Sequence, residues 1–493
     1  MVTSPIRATS ARRFRRSAGL LTAILLAGCA AVGPDYAAPE PATPATWRGA
    51  AAAKIAVAPT APADLANWWR QLDDPTLTGL IEQALQTSLD LRTAQAKLRE
   101  ARARRALAGA ELFPTVSGSA AGRRVKASGE SGGGGTANRF SAGFDASWEL
   151  DVFGGLRRGV EAAEADLEAS EASLRDTQVS LAAEVALDYV ELRAFQAALD
   201  IARANAVSQA ETLQLTQWRA QAGLTSTLDV EQARANLEQT RAQIPSLETS
   251  RAEAEQRLAI LLGQPPGALA GRLANPSGIP RLPARVTVGI PAEALRQRPD
   301  VGVAERKLAA ETARIGVAEA QAYPNFSLSG SLGLEALTIG ALSSGNAVAR
   351  SVLGSVAAPI FDAGRIRQQV NIQTAVQEQA LISYEATVLN ALAEVENALA
   401  ALANTRQRQE NLRDAVQAAR LAARLARYRY SAGLIDFQTV LDTERTVLTV
   451  EDKLTLSEAD GVKALIQLYK ALGGGWSPAP ANPMAAVAAG TSP

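Results

Sequence analysis

Cys29 is the residue whose surroundings most clearly set up a chemical step. The 493 residues contain one cysteine and no histidine, which removes the usual zinc ligands and the commonest general base. No set of side chains combines nucleophile, base and orienting group, so an enzyme is the least favoured class. Cys29 closes the sequence Leu26-Ala27-Gly28-Cys29. It follows a basic segment (Arg7, Arg12, Arg13, Arg15, Arg16) and the apolar stretch Leu20 to Ala27. That is the layout of a secretory signal, with an apolar part too short to remain as a membrane span. Small residues before the thiol have the form of a lipoprotein cleavage box. Residues 1–28 are then a signal peptide, and Cys29 is the lipid attachment site that opens the mature chain. Ala30, which is not aspartate, fits onward sorting to the outer membrane.

The elements behind this anchor repeat. Leu156 to Ala222 contains no proline and is rich in Ala, Leu, Glu, Gln and Arg, residues that lose little on becoming helical. As one helix it would be roughly 100 Å long. Apolar residues recur at Val160, Leu167, Leu174 and Leu181 and then, after a stutter, at Leu192, Leu199, Ala206 and Leu213, a coiled-coil pattern. A second such run extends from Arg365 to Arg429, with Leu381, Val388, Val395 and Leu402 in step. Phe113-Pro114 matches Tyr323-Pro324, Ala222-Gly223-Leu224 matches Ala432-Gly433-Leu434, and Leu262-Gly263 matches Leu472-Gly473, each pair 210 residues apart. The chain is a tandem duplication. Gly223 and Gly433 suit the left-handed turn after a helix, and Ser226, Thr227 and Asp436 suit the start of the next.

Before each long helix the period changes from helical to two. Phe140, Ala142, Phe144, Ala146, Trp148, Leu150 and Val152 alternate with Arg139, Ser141, Gly143, Asp145, Ser147, Glu149 and Asp151. Thr115 to Arg123 is a weaker partner across the glycine run Gly132 to Gly135. In the second repeat Phe326, Leu328, Leu332 and Leu334 alternate with polar residues, and Ser351 to Phe361 completes the hairpin. Strands of about ten residues with one apolar face suit a membrane barrel. Four strands cannot close one, and a spanning sheet leaves no open edge in lipid, so copies must associate, with eight strands in a dimer or twelve in a trimer.

The resulting division is a lipidated, extended strap (29–76), a first repeat (77–263), a Pro- and Gly-rich linker (264–283), a second repeat (284–473) and a low-complexity, disordered tail (474–493). Within the first repeat lie a helix ending before Phe113-Pro114, a hairpin (114–153), the long helix (156–222) and a return helix (228–262). The second holds a helix, a hairpin (325–361), a long helix (365–430) and a return helix (437–472). Zero net charge and 4% aromatic residues indicate no nucleic-acid partner.

Four stretches carry a family resemblance: Cys29 with Val32-Gly33-Pro34-Asp35-Tyr36, Trp148-Glu149-Leu150-Asp151-Val152-Phe153-Gly154, Arg298-Pro299-Asp300, and Pro359-Ile360-Phe361-Asp362-Ala363-Gly364-Arg365. In this order inside a duplication they resemble the lipoprotein branch of the TolC-like outer-membrane factors. The resemblance implies an α+β membrane protein: a homotrimer with a twelve-stranded transmembrane β-barrel and a long α-helical coiled-coil barrel in the periplasm. It also implies an adaptor protein and an inner-membrane transporter as partners, export of small toxic compounds, and contact with outer-membrane lipid. By position, Asp442 resembles a member of the family's acidic gate ring, and Tyr430 and Asp229 resemble partners in an interhelix latch. Two departures are Thr439, where many relatives have a second acid, and Ile435, where some have a basic residue; a hydrophobic constraint then replaces an arginine lock. The alternatives are a structural or adaptor coiled-coil lipoprotein of the periplasm, opposed by the two symmetric hairpins, and a protein-secretion conduit.

Overall fold

The alternation around Phe144 forms the centre of a four-stranded antiparallel sheet. Its strands run in the order Thr115–Lys126, Thr136–Leu150, Asn325–Ala336 and Val348–Ala357. The computed structural model describes residues 31–53, 56–57, 65–275, 277–283 and 286–477. Cys29, the signal segment and the tail from residue 478 lie outside them. The two hairpins join through the inner strands, with Phe144 opposite Leu332 and Trp148 opposite Leu328. Each outer strand is paired on one side only. The last strand stops at Ala357, short of Phe361: Pro359 has no N–H to give a ladder, and Ile360 and Phe361 stand exposed.

The described parts of the chain form two compact units. One comprises residues of 1–40, 97–170 and 303–384; the other comprises residues of 41–96, 171–302 and 385–493. In the first, the sheet passes into helices through two aspartates. Asp151 accepts hydrogen bonds from the backbone N–H of Leu156 (3.0 Å) and Arg157 (2.9 Å) at the start of the helix Gly155–Gln221. Asp362 accepts from Gly364 (2.9 Å) and Ile366 (2.8 Å) at the start of the helix Arg365–Ser431. Each satisfies N–H groups that a helix start leaves unpaired. Asp151 therefore caps a helix and does not continue the polar face of the strand.

The N-terminal strap is fixed in the same unit by a buried arginine. Arg158 donates to the carbonyls of Val32 (3.0 Å) and Gly33 (3.1 Å) and to Asp35 Oδ1 (2.7 Å). Gly33 lies against Gly316 so closely that a Cβ on either would enter the other backbone. Tyr36 donates to Glu305 (3.0 Å), and Arg306 covers its ring. The Val32–Tyr36 motif is thus a clasp for the strap.

In the second unit the core contains Trp68 stacked on Tyr469 (5.4 Å), with Leu77, Leu80, Ile81, Tyr189, Leu192, Leu258, Leu465 and Leu468 around them. The helix expected to run unbroken to Leu112 is two, Pro75–Thr87 and Leu89–Ala110. The break is tertiary in origin: the Thr87 hydroxyl donates to the carbonyl of Leu262 (2.7 Å), and the next residue, Ser88, is buried and extended. Residues of the linker also join the core, because Arg193 and Gln196 donate to the carbonyls of Asn275 (2.8 Å) and Leu273 (2.8 Å). The return helices are Thr227–Leu261 and Phe437–Ala471.

Candidate channel wall and helix tips

Strand register sorts the sheet's side chains into two unlike faces. One carries Phe140, Phe144, Trp148, Leu328, Leu332, Leu334, Val352 and Val356, and Val352 is 83% exposed. The other is a serine network: Thr115 to Ser147 (2.9 Å), Ser327 to Ser355 (2.6 Å) and Ser331 to Ser351 (2.8 Å) bond across strands. Charges on that face pair too. Ser119 donates to Asp145 (3.2 Å), Asn325 donates to Glu149 (2.6 Å), and Arg139 meets Glu335 (3.1 Å). Polar groups are bonded on one face, while aliphatic and aromatic side chains dominate the other. At the end of the sheet nearest the helices, Phe153 stacks on Tyr323 (4.7 Å) and lies near Phe326. Among the described residues no helix is long and apolar enough to cross a membrane.

The helix tips belong to the second unit. After the first long helix, Gly223 takes φ +70°, and the N–H of Leu224 returns to the carbonyl of Arg219 (2.8 Å). Gly433 (φ +74°) and Leu434 to Arg429 (2.9 Å) repeat this turn; a side chain would be strained at both glycines. The following helices are capped differently. Ser226 and Asp229 form a capping box, and Thr225 also donates to the Asp229 carboxylate. Partial burial opposes the Asp229 charge, but hydrogen bonds from Thr225 and Ser226 outweigh it and lower its pKa. In the second tip Asp436 is the cap and accepts from the N–H and hydroxyl of Thr439 (3.0 and 2.6 Å), which lowers its pKa.

Tyr430 and Asp229 do not bond to each other in the single chain. Tyr430 is 3% exposed and lies against Phe437 (5.4 Å), with the Arg219 guanidinium 4.6 Å over its ring. Its hydroxyl has no hydrogen-bond partner among the described residues. Ala233, Ala426, Val440, Leu441 and the partly buried Ile435 complete this cluster, so an apolar contact occupies the Ile435 position. Asp442 is exposed and accepts only from Gln438 (2.9 Å) among the bonds found for its side chain. Below the cluster, buried Glu444 accepts from Thr212 (2.6 Å). Burial pushes the Glu444 carboxyl upward against the opposing pull of Thr212 and Arg427. The Arg219–Tyr430 and Thr212–Glu444 contacts had no local signal in the sequence, because the partners are more than 200 residues apart.

A sheet with one hydrocarbon face, one hydrogen-bonded polar face and open edges, repeated with 67-residue helices, defines the subunit of an outer-membrane channel. Comparison with known proteins gives the same class. The pattern of the family described as "Outer membrane efflux protein" matches residues 80–264 and 290–474, one match per repeat. The chain belongs to this family. It is 33% identical to nodulation protein T of Rhizobium leguminosarum bv. trifolii over 479 residues, covering 94% of this chain and 98% of the relative. It is 33% identical over 443 residues to the pyoverdine export outer membrane protein OpmQ of Pseudomonas putida, covering 88% and 92%. The solved outer-membrane channel OprN is 39% identical, with a TM-score of 0.85, and the match covers 91% of this chain and all of that one. The protein is an outer-membrane channel component of a bacterial efflux system that exports small molecules.

Proposed function

We propose that three copies close a twelve-stranded barrel around a water-filled passage, continued by a periplasmic helical barrel, and that small toxic compounds leave through it. The sheet carries this proposal: its hydrocarbon face suits lipid, its serine face suits water, and its two unpaired edges require partners. Edge-to-edge association of identical sheets supplies them without a fold change. The unequal burial of the two short helices supports the same association. Pro299–Ala320 is largely buried, whereas the equivalent Leu89–Ala110 is exposed along most of its length, leaving a side for another copy to cover.

The lipid on Cys29 is the second anchor. The chain from Cys29 reaches Ala31 in two residues, and Ala31 packs against Gly154 where strand passes into helix. Phe153, Tyr323 and Phe326 lie at that same end of the sheet, as suits a membrane–water boundary. The helix tips are the gate. Gly223 and Gly433 set the turns, Asp229 fixes the start of one return helix, and Tyr430 fastens the second tip through packing. Asp442, exposed and hydrogen-bonded by Gln438, supplies one carboxylate per copy to a three-fold ring that attracts cations. Exposed Leu224 and Leu434 beside the turns offer an apolar contact to the adaptor.

Single-channel recording in planar bilayers tests this assignment. Asp442→Ala is expected to raise the trimer's conductance and weaken its cation selectivity. Unchanged conductance and selectivity would remove Asp442 from the gate.

A further inference from the structure

The hydrocarbon face of the sheet carries three cations and no acid. Arg124 and Lys126 occupy the end of the first strand, and Arg350 is the third residue of the last. Arg124 pairs with Asn138 in the register that puts Gly122 opposite Phe140, and Arg350 pairs with Leu332. All three cations therefore share the face of the phenylalanines and leucines. They are exposed, and no described carboxylate bonds to them. The sheet's acids, Asp145, Glu149 and Glu335, fall on the serine face.

An arginine facing lipid is costly at mid-membrane and nearly free of penalty near the headgroups. These residues lie toward the loop ends of their strands, away from the helices, where long side chains can reach the headgroups. The helix-side end of the same face has Trp148, Leu150, Phe326 and Val356 and no charge. The two ends thus meet different boundaries. Beside Arg350, which is paired with Leu332, lies an apolar groove of about 620 Å³, lined by Gly118, Ala120, Ala142, Phe144, Leu332 and Leu334. The small residues leave the groove open next to the phenylalanine and leucines.

We propose that Arg124, Lys126 and Arg350 form a phosphate-binding rim for the phosphorylated glycolipid of the outer leaflet, with one acyl chain lying in the groove. Guanidinium and ammonium groups supply charge-assisted bonds to phosphate. The inference rests on the barrel proposed above, with the loop end outward. In that barrel the last strand of one copy meets the first strand of the next, so the rim is completed where Arg350 meets the strand bearing Arg124 and Lys126.

The test uses the detergent-solubilised full-length assembly, titrated with bisphosphorylated lipid A, its dephosphorylated form, or phosphatidylglycerol, with bound lipid counted by native mass spectrometry. Bisphosphorylated lipid A is expected to bind at least about tenfold more tightly than either other lipid. The R124Q/K126Q/R350Q variant is expected to lose that preference, while Arg123→Gln, on the serine face, retains it. Equal binding of the dephosphorylated form, or an unaltered preference in the triple variant, overturns the rim. Equally tight phosphatidylglycerol binding overturns the assignment to the glycolipid. A wild-type assembly that inserts into vesicles but ignores phosphate refutes the rim alone; a chain that neither assembles nor inserts refutes the barrel with it.

Discussion

The two helix tips are copies of one backbone turn with different chemistry. Gly223 and Gly433 have nearly the same φ and the same returning N–H, 210 residues apart. Around them the side chains have diverged. Where the second tip has Tyr430, Phe437, Asp442 and Glu444, the first has Ala220, Thr227, Gln232 and Arg234. The acid of the cap has also changed place, from Asp229 in the first turn of one helix to Asp436 ahead of the other. Both copies keep the turn, while the aromatic fastening and the exposed carboxylate occur in one copy only. A gate in which one helix pair moves against the other needs this inequality.

The strongest way to break the comparison is at Phe437. Phe437→Ala removes a buried ring from the cluster around Tyr430 and is expected to destabilise the second tip locally by about 3–5 kcal/mol. Thr227→Ala, its counterpart, is expected to change the first by no more than about 0.5 kcal/mol. Amide hydrogen exchange of the two turns measures both, and equal effects would mean that the tips are held alike. The next contrast is between the two short helices. Leu107 is 65% exposed in the single chain, yet Leu107→Asp is expected to weaken trimer assembly by about 2 kcal/mol per copy if another copy covers it. Sedimentation in detergent reads this out, and unchanged assembly would leave that face to solvent.

The smallest expected effect is a pH dependence above 4.5 that the second tip alone shows. Burial raises the Glu444 pKa above its ordinary 4.5. Its protonated form is therefore favoured by the fold, and the stability from protonation is present below 4.5 and lost as pH rises through the raised folded value. Asp229 and Asp436 behave oppositely: their pKa values are lowered from 3.8, so their contribution is lost only as pH falls through the lowered folded values. Glu444→Gln should flatten the pH dependence of the second tip's protection factors above pH 4.5 and leave the first tip's profile unaltered. An unchanged slope in the variant would assign the dependence to another group.

The sheet was legible where one strand lies between two others. From Phe140 to Leu150 every second residue packs or points to one face, so the alternation is strict. At the edge strand Val348–Ala357 the pattern is weaker, and Leu353 falls on the serine face, which is why the strand's end was misplaced at Phe361. The long helices were legible because they lack proline and keep a seven-residue repeat. The break at Ser88 was not, since neither proline nor glycine marks it and its cause is the distant carbonyl of Leu262. The same limit applies to the helix tips. Ser226 and Asp436 act within four residues and could be read as caps, whereas Arg219 finds Tyr430 only after folding.

The central claim is that the sheet is one third of a closed barrel. The mass of the detergent-solubilised complex, measured by multi-angle light scattering with the bound detergent subtracted, tests it most directly. Three chains per particle are expected, giving twelve strands and a three-fold aperture at Asp442. A monodisperse single chain that keeps its strands in detergent-free buffer would contradict it, because the hydrocarbon face and both open edges would then be stable in water.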